Sequence, residues 1–122
     1  MKNLTSSECT GAHRAVRDTL DIVGGKWKLV ILTTLIDKER RFKELAREIG
    51  ISPRILSKEL QDLEINKLVT RTVCDTRPIT VEYSITEHGQ TLEKVTTALR
   101  DWGLTHRKEI IGTQESLTPV TG

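Results

Sequence analysis

The 122-residue sequence is poor in several things, and each shortage narrows the field. It has two cysteines, Cys9 and Cys74, too few for a disulfide scaffold or a zinc site of their own. Its aromatics are two Trp, one Tyr and one Phe, which argues against stacking platforms for single-stranded nucleic acid. No apolar run approaches the ~18 residues that a membrane span needs. The opening MKNLTSSECT lacks an apolar signal core, so a cytoplasmic protein is expected, in a compartment that keeps thiols reduced. Nineteen Lys and Arg against seventeen Asp and Glu leave a net charge of only +2. Bulk charge therefore announces no nucleic-acid binder, and any basic surface must come from placement. A glycine-rich phosphate loop and a paired-carboxylate motif are both missing. His13, His88 and His106 stand far apart, and none sits in a metal-ligand motif. Neither an enzyme nor a cofactor or metal is expected. Gly24-Gly25-Lys26 lacks the rest of a P-loop and reads as a turn between helices.

What is present is a soluble, globular composition, 30% charged and 36% hydrophobic, at a length that makes one domain. Residues 1–11 are polar and small, and read as a flexible N-terminal arm. Residues 12–111 form the domain, and 112–122 read as a disordered tail. Within the domain, Val16, Leu20 and Val23 fall at helical spacing over His13 to Val23. Residues 26–37, KWKLVILTTLID, are apolar nearly all round. That run predicts a buried helix; a buried strand competes, but the length and the two leading lysines favour helix. RFKELAREI at 41–49 puts Phe42, Leu45, Ala46 and Ile49 on one face, and Gly50 is a natural stop. Ser52-Pro53 is an N-cap followed by a first-turn proline, opening a helix to about Asn66 with Leu56, Leu60 and Leu63 inward.

The period then changes from 3.6 to 2. Val69, Arg71 and Val73 alternate with Thr70, Thr72 and Cys74; Val81, Tyr83 and Ile85 alternate with Thr80, Glu82 and Ser84. Asp75-Thr76-Arg77-Pro78 joins the two runs as a hairpin turn. Thr86 can cap a last long helix, whose Leu92, Val95, Leu99, Trp102 and His106 form an a/d seam. The expected fold is mainly α with a small β-hairpin (α+β), in the layout of a winged helix-turn-helix.

The helix pair 41–49 and 52–66 carries the main functional signal. Its second helix leaves Ser52, Pro53, Arg54, Ser57, Lys58 and Gln61 outward, in its first half. A recognition helix needs this: its first turns enter the major groove, where Arg reads guanine and Gln adenine. Lys43, Arg71, Thr76 and Arg77 would add backbone contacts from the first helix and the wing, and Lys38, Arg40 and Arg41 also precede that helix. The bland alternative is a solvated, solubilising face. Two apolar seams, Val16/Leu20/Val23 and Leu92/Val95/Leu99/Trp102, exceed what a small core needs. They could pack on each other, but a homodimer interface also pairs two recognition helices one DNA turn apart, ~34 Å. Cys9, in the arm with Arg14 and His13 in reach, is a candidate redox sensor, since a basic neighbour lowers a thiol pKa; the adjacent Glu8 would do the reverse, and an inert exposed thiol is the alternative. Cys74, in a strand, reads as structural. A thiol enzyme built on Cys9 would lack a base and a resolving cysteine.

RDTLDIVGGKWKLVIL at 17–32 and RRFKELAREIGISPRILSKELQDLEINKLVTR at 40–71 resemble the HxlR family of bacterial transcriptional regulators. VEYSITEHGQTL at 81–92 and ALRDWG at 98–103 continue the match, which spans roughly residues 9–110. The resemblance implies a winged helix-turn-helix homodimer built through the first and last helices. Ser52 to about Asn66 would be the recognition helix, 69–85 the wing, and double-stranded DNA the partner. Repression is the commoner outcome in that family. Several members sense oxidants or electrophiles through a cysteine near the N-terminus, frequently as Cys-Pro-Val. Here Arg14-Ala15-Val16 stands in that place, and Cys9 lies five residues earlier. The turn between the paired helices is trimmed to Ile49-Gly50-Ile51.

The favoured expectation is thus a transcriptional repressor acting as a homodimer on an inverted repeat, with an oxidant or a small molecule as effector. The rival is a winged-helix module for protein–protein contact without DNA binding, supported by the near-neutral net charge.

Overall fold

The computed structural model describes residues 6–115, and side chains over residues 8–111. The chain divides into two units, residues 1–90 and 91–122. The first unit opens with helix α1 (Ser6–Val23) and continues with α2 (Lys28–Asp37), strand β1 (Arg40–Arg41), α3 (Phe42–Ile49) and α4 (Pro53–Ile65). Strands β2 (Val69–Cys74) and β3 (Thr80–Ile85) and a four-residue helix α5 (Glu87–Gln90) complete it. The second unit carries the long helix α6 (Glu93–Glu115).

Four of these elements correct the sequence reading. The first helix starts at Ser6, so residues 6–11 are helical and not an arm; residues 1–5 lie outside the described residues. The apolar period that reveals α1 in sequence begins only at Val16, while its polar first turns tolerate helix without advertising it. The tail expected from 112 is likewise helical through Glu115, and the rest lies outside the described residues. Thr86 caps α5 and not the long helix: its Oγ1 accepts the Gly89 N–H at 2.9 Å. The chain then turns at Thr91-Leu92 before α6 begins, so Leu92 lies ahead of the helix and not on it. Strand β1 was not foreseen, because two residues are too short to carry a period.

The sheet order is β1-β3-β2, antiparallel throughout, with Arg40 opposite Tyr83 and Val69 opposite Ile85. Its core side meets α2, α3 and α4. Ile31, Leu32 and Leu35 from α2, Leu45 from α3, and Leu56, Leu60 and Leu63 from α4 are all at most 1% exposed. Each such side chain contributes about 1.5–3 kcal/mol on burial. The all-round burial of α2 expected from its composition is not met: Val30 and Thr33 are exposed, and Leu29 and Ile36 are half-buried. Thr33 and Thr34 satisfy their hydroxyls on the Leu29 and Val30 carbonyls one turn back, which lets them sit inside a helix.

Two cations are spent on the fold. Lys28 Nζ donates to Glu59 Oε2 at 2.6 Å and lies 3.2 Å from Asp62 Oδ2, pinning the start of α2 to the middle of α4. Arg40 is 6% exposed. Its Nε donates to Glu48 at 2.9 Å, its Nη2 to Asp37 at 3.1 Å and its Nη1 to the Lys38 carbonyl at 2.7 Å. One planar guanidinium thus ties the end of α2, β1 and α3 together, a task its fixed fork of donors suits. Arg40 was expected to be free for phosphate; it is a structural residue.

The end of β3 is welded to the turn after α4. Thr86 N–H and Oγ1 reach the Leu68 and Lys67 carbonyls at 3.0 and 2.7 Å. Gly89 packs there so closely that a Cβ would run into the Leu68 carbonyl and the Ile85 side chain.

The Glu59 hydrogen bond raises the Lys28 pKa above the ordinary lysine value; burial opposes this, and Asp62 adds to the rise. A raised pKa in the folded state means the stabilisation is complete below the unfolded lysine value of about 10.4 and fades as pH climbs through the folded value. Lys28→Met is expected to cost about 1–3 kcal/mol at neutral pH by stranding two carboxylates. In urea titrations, the gap between the variant and the native protein should stay level from pH 7 to 9 and narrow above about pH 10.5. A gap that does not change up to pH 11.5 would show that the ion pairs are not its source.

Candidate nucleic-acid interface

The turn between α3 and α4 sets the site. Gly50 ends α3 in the left-handed region at φ +74°, where its N–H bonds the Ala46 carbonyl at 3.0 Å. A side chain there would be strained, which explains the glycine. Ile51 is buried and anchors the turn. Ser52 follows as the N-cap, its Oγ accepting the Ile55 N–H at 3.3 Å, and Pro53 takes the first helical position. Both features were legible in the sequence.

Helix α4 then divides into two faces. Leu56, Leu60 and Leu63 are buried. Glu59 and Asp62 turn to Lys28, which removes two of the helix's acids from the outer side. Opposite them, Arg54, Lys58 and Gln61 stand at spacings of four and three, exposed, with Ser57 beside them. Ile65 prolongs this stripe and is 75% exposed, a residue that sequence reading assigned no role.

The wing supplies the rest. Arg71 is exposed on β2 opposite Tyr83, and Arg77 is exposed in the tip. Lys43 is exposed in the first turn of α3. Among the described residues, none of Lys43, Arg54, Lys58, Arg71 and Arg77 is held in an ion pair, in contrast to Lys28 and Arg40. Thr76 behaves differently. Its Oγ1 donates to the Pro78 carbonyl at 2.8 Å and lies 2.9 Å from Thr80 Oγ1, so it closes the wing tip from within.

The apolar seams are described unit by unit. On α1, Val16 and Leu20 are each 60% exposed, but Val23 is 2% exposed and belongs to the core of its own unit. Helical spacing alone could not separate Val23 from the seam, because a core stripe and an interface stripe share one period. On α6, Val95, Leu99 and Trp102 are exposed, and the Trp102 ring stacks on His106 at 4.6 Å. Ile110, one turn on from His106, is exposed as well and extends the seam. Its spacing of four from His106 was the available signal.

Cys9 sits on α1 and not in an arm, half-buried, with its Sγ 3.5 Å from His13 Nε2. It shares a helical stripe with Val16 and Leu20, at spacings of seven and four. Cys74, half-buried at the end of β2, faces the Thr72 carbonyl at 4.0 Å.

Comparison with known proteins places this geometry. A family model described as HxlR-like helix-turn-helix matches residues 22–110. The Bacillus subtilis HTH-type transcriptional regulator YdeP is 43% identical over 96 residues, covering 78% of this chain and 75% of that one. The structure of the redox regulator HypR in its reduced form superposes with a TM-score of 0.73 at 39% identity, covering 79% of this chain and 96% of that one. Reduced YodB from B. subtilis gives 0.64 at 33% identity, over 70% of this chain and 85% of that one. Against these likenesses, the rival reading of a module without DNA binding has only the small net charge to support it. The chain belongs to the HxlR family and is a winged helix-turn-helix DNA-binding transcriptional regulator.

Proposed function

We propose that the protein is a cytoplasmic repressor that binds an inverted-repeat operator as a homodimer, with α4 in the major groove of each half-site. The observation that carries this is the two-faced α4: one face locked into the core, the other a row of exposed Arg54, Lys58 and Gln61. Arg54 and Gln61 suit base edges, and Ser52, Ser57 and Lys58 suit phosphates. Lys43, Arg71 and Arg77 hold the flanking backbone, which positions the helix without reading sequence. A dimer seated on an operator that overlaps a promoter would repress by occluding the DNA beneath it.

The exposed seams support the dimer. Val16, Leu20, Leu99 and Trp102 are each more than half exposed, a poor arrangement for a chain that stays alone in water. A two-fold axis through such seams makes the same patch face itself.

Control by oxidants rests on Cys9. It lies on the α1 stripe of the seam beside His13, so thiol chemistry there reaches the interface directly. Its relatives include a regulator described as redox-responsive and one studied after diamide treatment. In the proposed step, the Cys9 thiols of two protomers lose two protons and pass two electrons to the oxidant, forming one inter-subunit disulfide. Diamide takes up both and becomes the hydrazine. A small ligand at the interface is the other class of effector.

Four experiments test this reading. Arg54→Ala should weaken operator binding by about 1–3 kcal/mol and relax base preference, while Lys58→Ala should weaken all duplexes alike and flatten the salt slope by about one. Electrophoretic titration of the native and altered operators would expose an Arg54 variant with unchanged preference, which would remove that base contact. Selection of bound duplexes from a random pool should enrich a palindrome with half-sites about ten base pairs apart. Leu99→Asp/Trp102→Asp should sediment as a monomer and lose that preference for paired half-sites; a variant that stays dimeric would move the interface elsewhere. Diamide should change the affinity of the native protein about tenfold, equivalent to roughly 1.4 kcal/mol. It should leave Cys9→Ser unaffected, and equal sensitivity in Cys9→Ser would end the role of Cys9.

A further inference from the structure

The first turns of α1 hold a thiol and an imidazole at the separation of two metal ligands. Cys9 Sγ lies 3.5 Å from His13 Nε2, one helical turn along. We propose that Cys9 and His13 of two protomers together bind one Zn²⁺ ion, in a tetrahedral site closed by the two-fold axis. This rests on the homodimer reading with α1 at the interface, and gives that interface a ligand of stated chemistry.

The distance fits the ion. With Zn–S about 2.3 Å and Zn–N about 2.0–2.1 Å, the sulfur–nitrogen edge of a tetrahedron is about 3.5 Å. One chain carries only half of such a site. Among the described residues, no group of three or more His, Cys, Asp or Glu side chains is placed to hold an ion. A second copy has to supply the other two ligands.

The seam on α1 shows how it can. Cys9, His13, Val16 and Leu20 follow one another at spacings of four, three and four, the rhythm of a helix–helix seam. At 3.6 residues per turn, all four lie within an arc of about 60°. Val16 and Leu20 are each 60% exposed, and His13 is exposed on the same stripe. A two-fold axis through the first turns of this stripe sets Cys9 and His13 against their own copies. The two sulfurs need to approach only to about 3.8 Å to share a zinc ion. A disulfide demands about 2.05 Å.

A hydrogen bond between thiol and imidazole accounts for the contact inside one chain, but not for two polar groups at seam positions. Covered by a partner, they would be withdrawn from water beside apolar side chains, which is costly without a full set of partners. A metal ion supplies that set. Each thiol gives its proton to solvent, and each imidazole binds in its neutral form. Two thiolates then cancel the two charges of Zn²⁺, so the centre is neutral where it meets the apolar part of the seam. Thiolate and imidazole donors also select zinc over magnesium and calcium, which take oxygen ligands.

The test uses the full chain, stripped with a chelator, kept reduced with a phosphine, and titrated anaerobically with Co²⁺ as a coloured stand-in for Zn²⁺. Sedimentation accompanies each titration, and thermal unfolding of the metal-free variants confirms the fold. The native dimer should take up one Co²⁺ per two chains, with the intense visible bands of a tetrahedral site and a near-ultraviolet thiolate-to-cobalt band. Zn²⁺ should displace it. Cys9→Ser and His13→Gln should each weaken binding at least about a hundredfold, the upper end of what a lost second-shell partner costs. Cys9→Ser should also abolish the thiolate band. His13→Cys exchanges one ligand for another and should keep the stoichiometry with a stronger thiolate band, whereas Cys74→Ser should bind like the native chain. A native dimer that takes up no Co²⁺, or binds it as well after Cys9→Ser or His13→Gln, overturns the metal site and leaves the dimer and the reading of α4 standing. One Co²⁺ per chain overturns the shared site, because the second copy then gives no ligand. A chain that sediments as a monomer with and without metal overturns the dimer and the shared site together.

Discussion

The division of α4 into a committed and a free face is the constraint on which the rest of the structure turns. A 13-residue helix with an exposed polar row on one side has only the other side with which to hold itself in place. Leu56, Leu60 and Leu63 supply the apolar part of that hold. Lys28 supplies the polar part by gathering Glu59 and Asp62. The same ion cluster has an electrostatic consequence for the outer face. Carboxylates satisfied by a lysine beneath the helix no longer compete with phosphate for the arginine and lysine above it. Stability and the potential of the exposed face are thus set by one arrangement.

Arginine is used in two opposite ways within a short stretch of chain. Arg40 spends its donors on Glu48, Asp37 and the Lys38 carbonyl, and is buried. Its neighbour Arg41 points outward into a groove beside the wing. The two-residue strand β1 makes this possible, because successive side chains of a strand point to opposite faces. The inward arginine joins three elements, and the outward one stays exposed. A charge count over this region would have treated the two alike.

Much of the site was legible in the sequence because it is built from local signals. Ser52-Pro53 declares a helix start and Gly50 a helix stop whatever surrounds them. The leucines of α4 mark its inner face by their spacing, and the outer face follows by subtraction. Less was legible where meaning depends on distant partners. Val23 has the same spacing as Val16 and Leu20, yet it is buried in its own unit and they are exposed. Thr86 has the signature of a cap, but the helix it caps is α5. Cys9 looked like an arm residue because polar helical turns have no apolar period to reveal them.

The sequence by itself determined the order of the main elements, the turn chemistry between the paired helices and the polarity of each helix face. These depend on interactions within a few residues, which the chain carries wherever it goes. Only the tertiary structure decided which charges are spent and which are free. Lys28 and Arg40 meet carboxylates from other elements, whereas Arg54, Lys58 and Arg77 meet none among the described residues. It also decided that α3 and the wing tip enclose a groove, since residues 41–44 and 78–80 are brought together by pairing of β1 with β3. Charge pairing and groove formation act through space, over separations that no periodicity along the chain encodes.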